Sequence, residues 1–228
     1  WNGSVTTNWD TTDTNWDEGD QKFFSGDDVG FTDNGVGAVN LVGSLAPLSI
    51  TLQNTTGNNY SFEGAGAIVG TTGISMTGGG DLTLGGTGVN TFTGAISVDS
   101  GILTLGKQSA LGATSGVTVA AGARVNLNGQ TPGALATGGY AWTIAGDGGD
   151  GVGGVGAITN SGGAVYGNSG IKSLTLSANA EIGGNSGRFD VGLHAGSSTY
   201  GTISGGGFTL TKVGSSELCL RAPASNIT

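Results

Sequence analysis

Cysteine occurs once in 228 residues, as Cys219. No intrachain disulfide can form from it, and no thiolate-based metal knuckle can be assembled. Proline occurs three times, and glycine, although abundant, has no strict third-position period. Pro-rich linkers and collagen are both excluded. The seven basic residues, Lys22, Lys107, Arg124, Lys172, Arg188, Lys212 and Arg221, are scattered, and the formal net charge is −9. Nothing there could track a phosphate backbone, so nucleic acid is a poor partner, and anionic lipid surfaces are equally unfavourable. No apolar run reaches a spanning length, so membrane insertion of this segment is not expected. Good helix formers are rare, and no stretch carries an apolar stripe of helical period.

What is there is glycine, 49 residues of it, with Thr, Ser, Asn, Val, Ile and Leu. This is the vocabulary of short strands and tight turns. An apolar–Thr/Ser–apolar triplet recurs, as Leu48-Ser49-Ile50-Thr51-Leu52, Ile74-Ser75-Met76, Leu82-Thr83-Leu84, Ile96-Ser97-Val98 and Leu103-Thr104-Leu105. It returns in Val117-Thr118-Val119, Val125-Asn126-Leu127, Trp142-Thr143-Ile144, Leu174-Thr175-Leu176, Phe208-Thr209-Leu210 and Leu218-Cys219-Leu220. Side chains alternate along a strand, so each triplet sends two residues inward and one outward. Short strands at near-regular spacing fit an antiparallel sandwich or a coil of parallel rungs. Stacked rungs share one core where isolated short hairpins bury little, which favours the coil. At ~20 residues per rung the chain would supply roughly ten rungs.

The segment Asp81-Leu82-Thr83-Leu84-Gly85-Gly86, then Asn90-Thr91-Phe92-Thr93-Gly94, Ile102-Leu103-Thr104-Leu105 and Ser109-Ala110-Leu111-Gly112, resembles the autotransporter-associated β-strand repeat. A second opening, Leu210-Thr211-Lys212-Val213-Gly214, is similar, and the chain reads as stopping inside that copy at Ala224-Ser225-Asn226-Ile227-Thr228. The resemblance implies a right-handed parallel β-helix (a β-solenoid) displayed outside a bacterial cell as an adhesin, stalk or surface fibre, with no reaction attached. The expected organisation is a cap with the first strands over 1–40 and solenoid rungs over 41–228. A chain beginning at Trp1 reads as a processed product. An open last rung would let copies stack end to end, or would continue into a longer chain.

Four candidate sites arise. Eight of the 16 acids, Asp10, Asp13, Asp17, Glu18, Asp20, Asp27, Asp28 and Asp33, fall in the first 33 residues. Clustered oxygens suit Ca²⁺, but the loop spacing of a dedicated calcium site is missing, so a solvated polar cap is the expectation and no cofactor is. Trp1, Trp9 and Trp16, with Phe23, Phe24 and Phe31, should cover the first rung. As exposed rings, Trp1, Trp9, Trp16, Tyr140 and Trp142 could instead stack on surface glycans. Gly151-Val152-Gly153-Gly154-Val155-Gly156 matches a dinucleotide-loop spacing but has no following helix to meet a pyrophosphate. For catalysis, Asp27 and Asp28 point oppositely on a strand, Asp147 and Asp150 sit in a glycine loop, and His194 is the sole histidine. No enzyme is expected, and a glycan-binding or polysaccharide-processing β-helix is the alternative. Arg188 and Asp190, two apart, should pair on one strand face.

Overall fold

The computed structural model describes residues 1–17, 21–132, 139–151, 153–167, 169–192 and 201–221. It is all-β, and every pairing between its named strands is parallel. The fold is a parallel β-helix. The chain divides into two compact units, Trp1–Thr114 and Ser115–Thr228.

The first unit holds β1 (Asn8–Trp9), β2 (Asp28–Phe31), β3 (Gly37–Leu41), β4 (Ser44–Leu45), β5 (Ser49–Leu52) and β6 (Tyr60–Gly64). It continues with β7 (Ala67–Ile68), β8 (Gly73–Met76), β9 (Leu82–Leu84), β10 (Ile96–Val98) and β11 (Ile102–Leu105). Three stacks result. One is β2-β5-β8-β10, with Val29, Ile50, Ile74 and Ile96 in register. A second is β1-β3-β6-β9-β11, and the third is the short pair β4-β7. The chain visits the three stacks in turn and then repeats, the course of a coil and not of a meander. After a wider first step of 32 residues from β1 to β3, paired residues of neighbouring coils lie 21 to 24 apart.

Alternation explains the core. Ile50 and Leu52, Ile74 and Met76, Ile96 and Val98, and Leu103 and Leu105 are buried, while Thr51, Ser75, Ser97 and Thr104 between them reach the surface. Ser61, Thr83 and Thr104 stack as an outward ladder on the second face. Aromatic rings close the first coil. Trp9, 0% exposed, lies 5.5 Å from Trp16, 5.5 Å from Phe23 and 5.7 Å from Phe62, and Trp1 meets Trp16 edge-on at 5.3 Å. Phe24 departs from the expected cover: it is 63% exposed. It precedes a turn in which its own N–H donates to Asp27, and the ring faces away from the coil interior.

The second unit holds β12 (Val117–Val119), β13 (Arg124–Asn126), β14 (Tyr140–Gly146), β15 (Ile158–Thr159) and β16 (Ile171–Gly183). After them come β17 (Phe189–Val191), β18 (Thr202–Ser204), β19 (Leu210–Val213) and β20 (Leu218–Leu220). β16 is 13 residues long and serves two stacks. Its first half pairs with β14 and β18, its second half with β15 and β19. Register shifts opposite it, between Tyr140 and Ala141 and between Ile144 and Gly146, mark where it bends around the corner. Coils here are uneven and mostly longer, with paired strand residues 24 to 34 apart. The longest run of stacked strands is five in the first unit, β1-β3-β6-β9-β11, and four in the second, β12-β14-β16-β18, so the two units hold about nine turns, close to the roughly ten that a uniform rung length gave. The triplet at Phe208 also shifts. Phe208 and Thr209 lie outside β19, and Phe208 is largely exposed.

Candidate functional site

Carboxylates and amides at the coil corners are engaged in holding neighbouring coils together. Asp33 accepts the Thr55 N–H at 2.6 Å and the Thr55 hydroxyl at 2.9 Å, one coil on. Those bonds hold its carboxyl below the ordinary range. Asn59 accepts the Asp81 N–H, and Asp81 in turn accepts the Ile102 N–H, each at 2.9 Å. Turns at coil corners expose backbone N–H groups that no strand partner reaches, and an Asx side chain from the neighbouring coil satisfies them. Asn160 does this most completely. Buried, it accepts from Gly129 and Gly162 and donates to Gly163 and Gly187.

The described acids of the first 33 residues do not converge. Asp10 takes the N–H groups of Thr12 and Asp13, while Asp13 takes the Thr6 hydroxyl and the Asn8 amide. Asp27 bonds the Phe24 N–H and Asp28 the Ser49 hydroxyl. Among the described residues no three His, Cys, Asp or Glu side chains gather as metal ligands would. Glu18 and Asp20 lie outside the described residues.

The ring candidates are placed differently from one another. Trp9, Tyr140 and Trp142 are buried in the coil interior, which leaves none of them an open face for a sugar, whereas Trp16, 8% exposed, lines the cleft beside Trp1. Trp1 is half-buried, its indole N–H donates to the Gly35 carbonyl at 3.1 Å, and it lines a cleft of about 620 Å³. Phe24, Lys22, Asp27 and Asp28 line the same cleft.

Asp147 accepts the Gly149 N–H, while Asp150 pairs with Arg124, whose guanidinium also donates to the Gly148 carbonyl. These bonds clamp the glycine loop to β13. Val152 and His194 fall outside the described residues.

The expected Arg188–Asp190 pair is present, with Nε 2.7 Å from Oδ1, and it is the centre of a larger cluster. Asp190 is 0% exposed. It also accepts from Arg221 and from the Gly167 N–H, while Arg188 reaches Glu217 at 2.9 Å and lies 5.1 Å over the Tyr166 ring. Burial pushes the Asp190 carboxyl up, but the bonds and charges of Arg188 and Arg221 more than offset it and hold it below the usual range. The cluster carries two positive and two negative groups, so it ties coils together and offers no net charge to a ligand. Sequence inspection missed Glu217 and Arg221, whose signal is a separation of one coil, legible only once the coil length is known.

A second constellation went unmarked. Lys107 is 9% exposed, and its ammonium donates to the Gly88 carbonyl at 2.7 Å and to Asn90 Oδ1 at 3.2 Å. Burial lowers its pKa to about 8.

No family model, no curated protein and no solved structure matches this chain.

Proposed function

We propose that this chain is a non-catalytic, extracellular, structural or adhesive segment of a bacterial surface protein. The resemblance to autotransporter-associated repeats motivates the location and the role. The observation that carries the reading is the use made of polar side chains. Asp33, Asn59, Asp81, Asn160, Asn179, Asn185 and Asp190 each bond to a neighbouring coil. A side chain fixed in a turn-capping bond has its lone pairs committed, and reacting groups must be aimed at a substrate instead. The outward positions of the strands are filled with Ser and Thr, a hydrated surface suited to display.

Contact between copies is part of the proposal, because edge strands of a parallel coil present N–H and C=O groups that another chain can pair with. Sedimentation of the purified chain tests it: assemblies larger than a monomer support the self-associating form, and a monomer at all concentrations removes it.

The cleft beside Trp1 favours a second reading, a glycan-binding surface with Phe24 as the exposed ring and Lys22, Asp27 and Asp28 as hydroxyl partners. One panel of polysaccharides, read for both binding and chain shortening, separates the readings. The structural role predicts neither. Binding that Phe24→Ala abolishes supports the glycan surface, and chain shortening would overturn the non-catalytic reading.

A further inference from the structure

The third stack of the first unit stops at β7, yet two more coils pass the same corner. Side chains take over there. Asn90 is 4% exposed; its Oδ1 accepts the Ile68 N–H at 3.1 Å and its Nδ2 donates to the Ala110 carbonyl at 3.3 Å. The Lys107 ammonium donates to the same Oδ1 at 3.2 Å. Among the described residues no carboxylate pairs with Lys107. Ile68, Phe92, Ala110 and Leu111, which flank the pair, are all buried. An amine is thus held against a side-chain amide in a dry corner, with a backbone N–H on the amide oxygen.

We propose that Lys107 and Asn90 join in an intramolecular isopeptide bond. The neutral Lys107 Nζ attacks Asn90 Cγ, and the Nζ–Cγ bond forms as the carbonyl electron pair moves onto Oδ1. The Ile68 N–H holds that oxygen as charge develops on it. On collapse the Cγ–Nδ2 bond breaks, one proton passes from Nζ to Nδ2, and ammonia leaves. The Ser109 hydroxyl, which donates to the Gly88 carbonyl beside Lys107 and accepts the Asn90 backbone N–H, borders the reacting pair. Amine and primary amide become secondary amide and ammonia, so no oxidant, reductant or other reactant is required. Fixed proximity supplies much of what a bimolecular reaction lacks. Burial raises the neutral fraction of Lys107 at ordinary pH, since its pKa falls to about 8. The product ties neighbouring coils covalently where strand pairing ends.

Intact mass and peptide mapping of the full chain test this. The wild type is expected lighter by one ammonia, with a cross-linked peptide pair containing Asn90 and Lys107. Conversion should run roughly 90-fold faster at about pH 9 than at about pH 6, following the neutral amine fraction. Lys107→Arg, which keeps a cation at the position, and Asn90→Ala should both retain full mass. Uncrosslinked wild type after prolonged incubation at the higher pH overturns the proposal, as does a Lys107→Arg variant that yields the same crosslinked product.

Discussion

Asp190 shows what a single side chain does in this fold. It accepts from Gly167, Arg188 and Arg221, and so connects three successive passes of the chain. Removing one member of a buried ion pair strands the other charges. Asp190→Ala is therefore expected to lower the unfolding free energy by about 3–5 kcal/mol, measured by urea denaturation. The pH dependence has a definite sign. The folded-state pKa lies below the unfolded value, so the contribution is present in full above about pH 4 and is lost as pH falls through the depressed pKa. The Asp190→Ala variant should show a correspondingly weaker loss of stability in that acid range. At the other end of the chain Trp9 fills the first coil, and Trp9→Ala should cost about 3–5 kcal/mol through the cavity it leaves. The Arg188–Asp190 pair was legible in the sequence because residues two apart share a strand face. Glu217 and Arg221 were not, because their placement depends on a coil 29 to 31 residues long. Nor was the Lys107–Asn90 contact, which depends on how the chain rounds a corner.

Strands and corners follow different rules. The alternating triplets identified β5, β8, β9, β10, β11 and β12 from sequence because each buries two aliphatic residues around one hydroxyl. β2, β3 and β6 carry the same alternation, as Val29/Phe31, Val39/Leu41 and Tyr60/Phe62, but glycine, Asn and aromatic residues disguise it. The length of β16 was equally hidden, since nothing local announces a bend without a turn. Corners depend on close backbone approach. A Cβ on Gly66 would sit 2.5 Å from the Leu41 carbonyl carbon and 2.6 Å from the Val42 nitrogen. Gly66→Ala should therefore cost about 1–3 kcal/mol by forcing neighbouring coils apart. Gly30, inside β2, is the contrasting case. A Cβ there meets nothing within 4 Å, and the position stacks on Thr51. Gly30→Thr should extend the hydroxyl ladder and raise stability by about 0.5–1 kcal/mol, the opposite sign on the same residue type. Thermal melts of the two variants beside the wild type read both effects.

At the scale of the molecule, the fold is a consequence of in-register repetition: each coil buries its aliphatic residues on those of the coil before it. That much was legible, because period and alternation are properties of the sequence. Function was less so, because a coil engages its polar side chains in its own corners and presents similar outward surfaces on every turn. The number of turns was legible to within about one, although the coils of the second unit are uneven in length and one of its strands, β16, serves two stacks. Everything rests on parallel, in-register stacking, and the β5-β8-β10 stack tests it most directly. Nitroxide labels on cysteines at Thr51 and Ser75, and separately at Thr51 and Ser97, in a Cys219→Ser background, report backbone separations by dipolar broadening. In-register stacking predicts strong broadening for the first pair, one rung or ~4.8 Å apart, and weaker broadening for the second at about twice that. Absence of broadening in the first pair, or equal broadening in both, would contradict the coil.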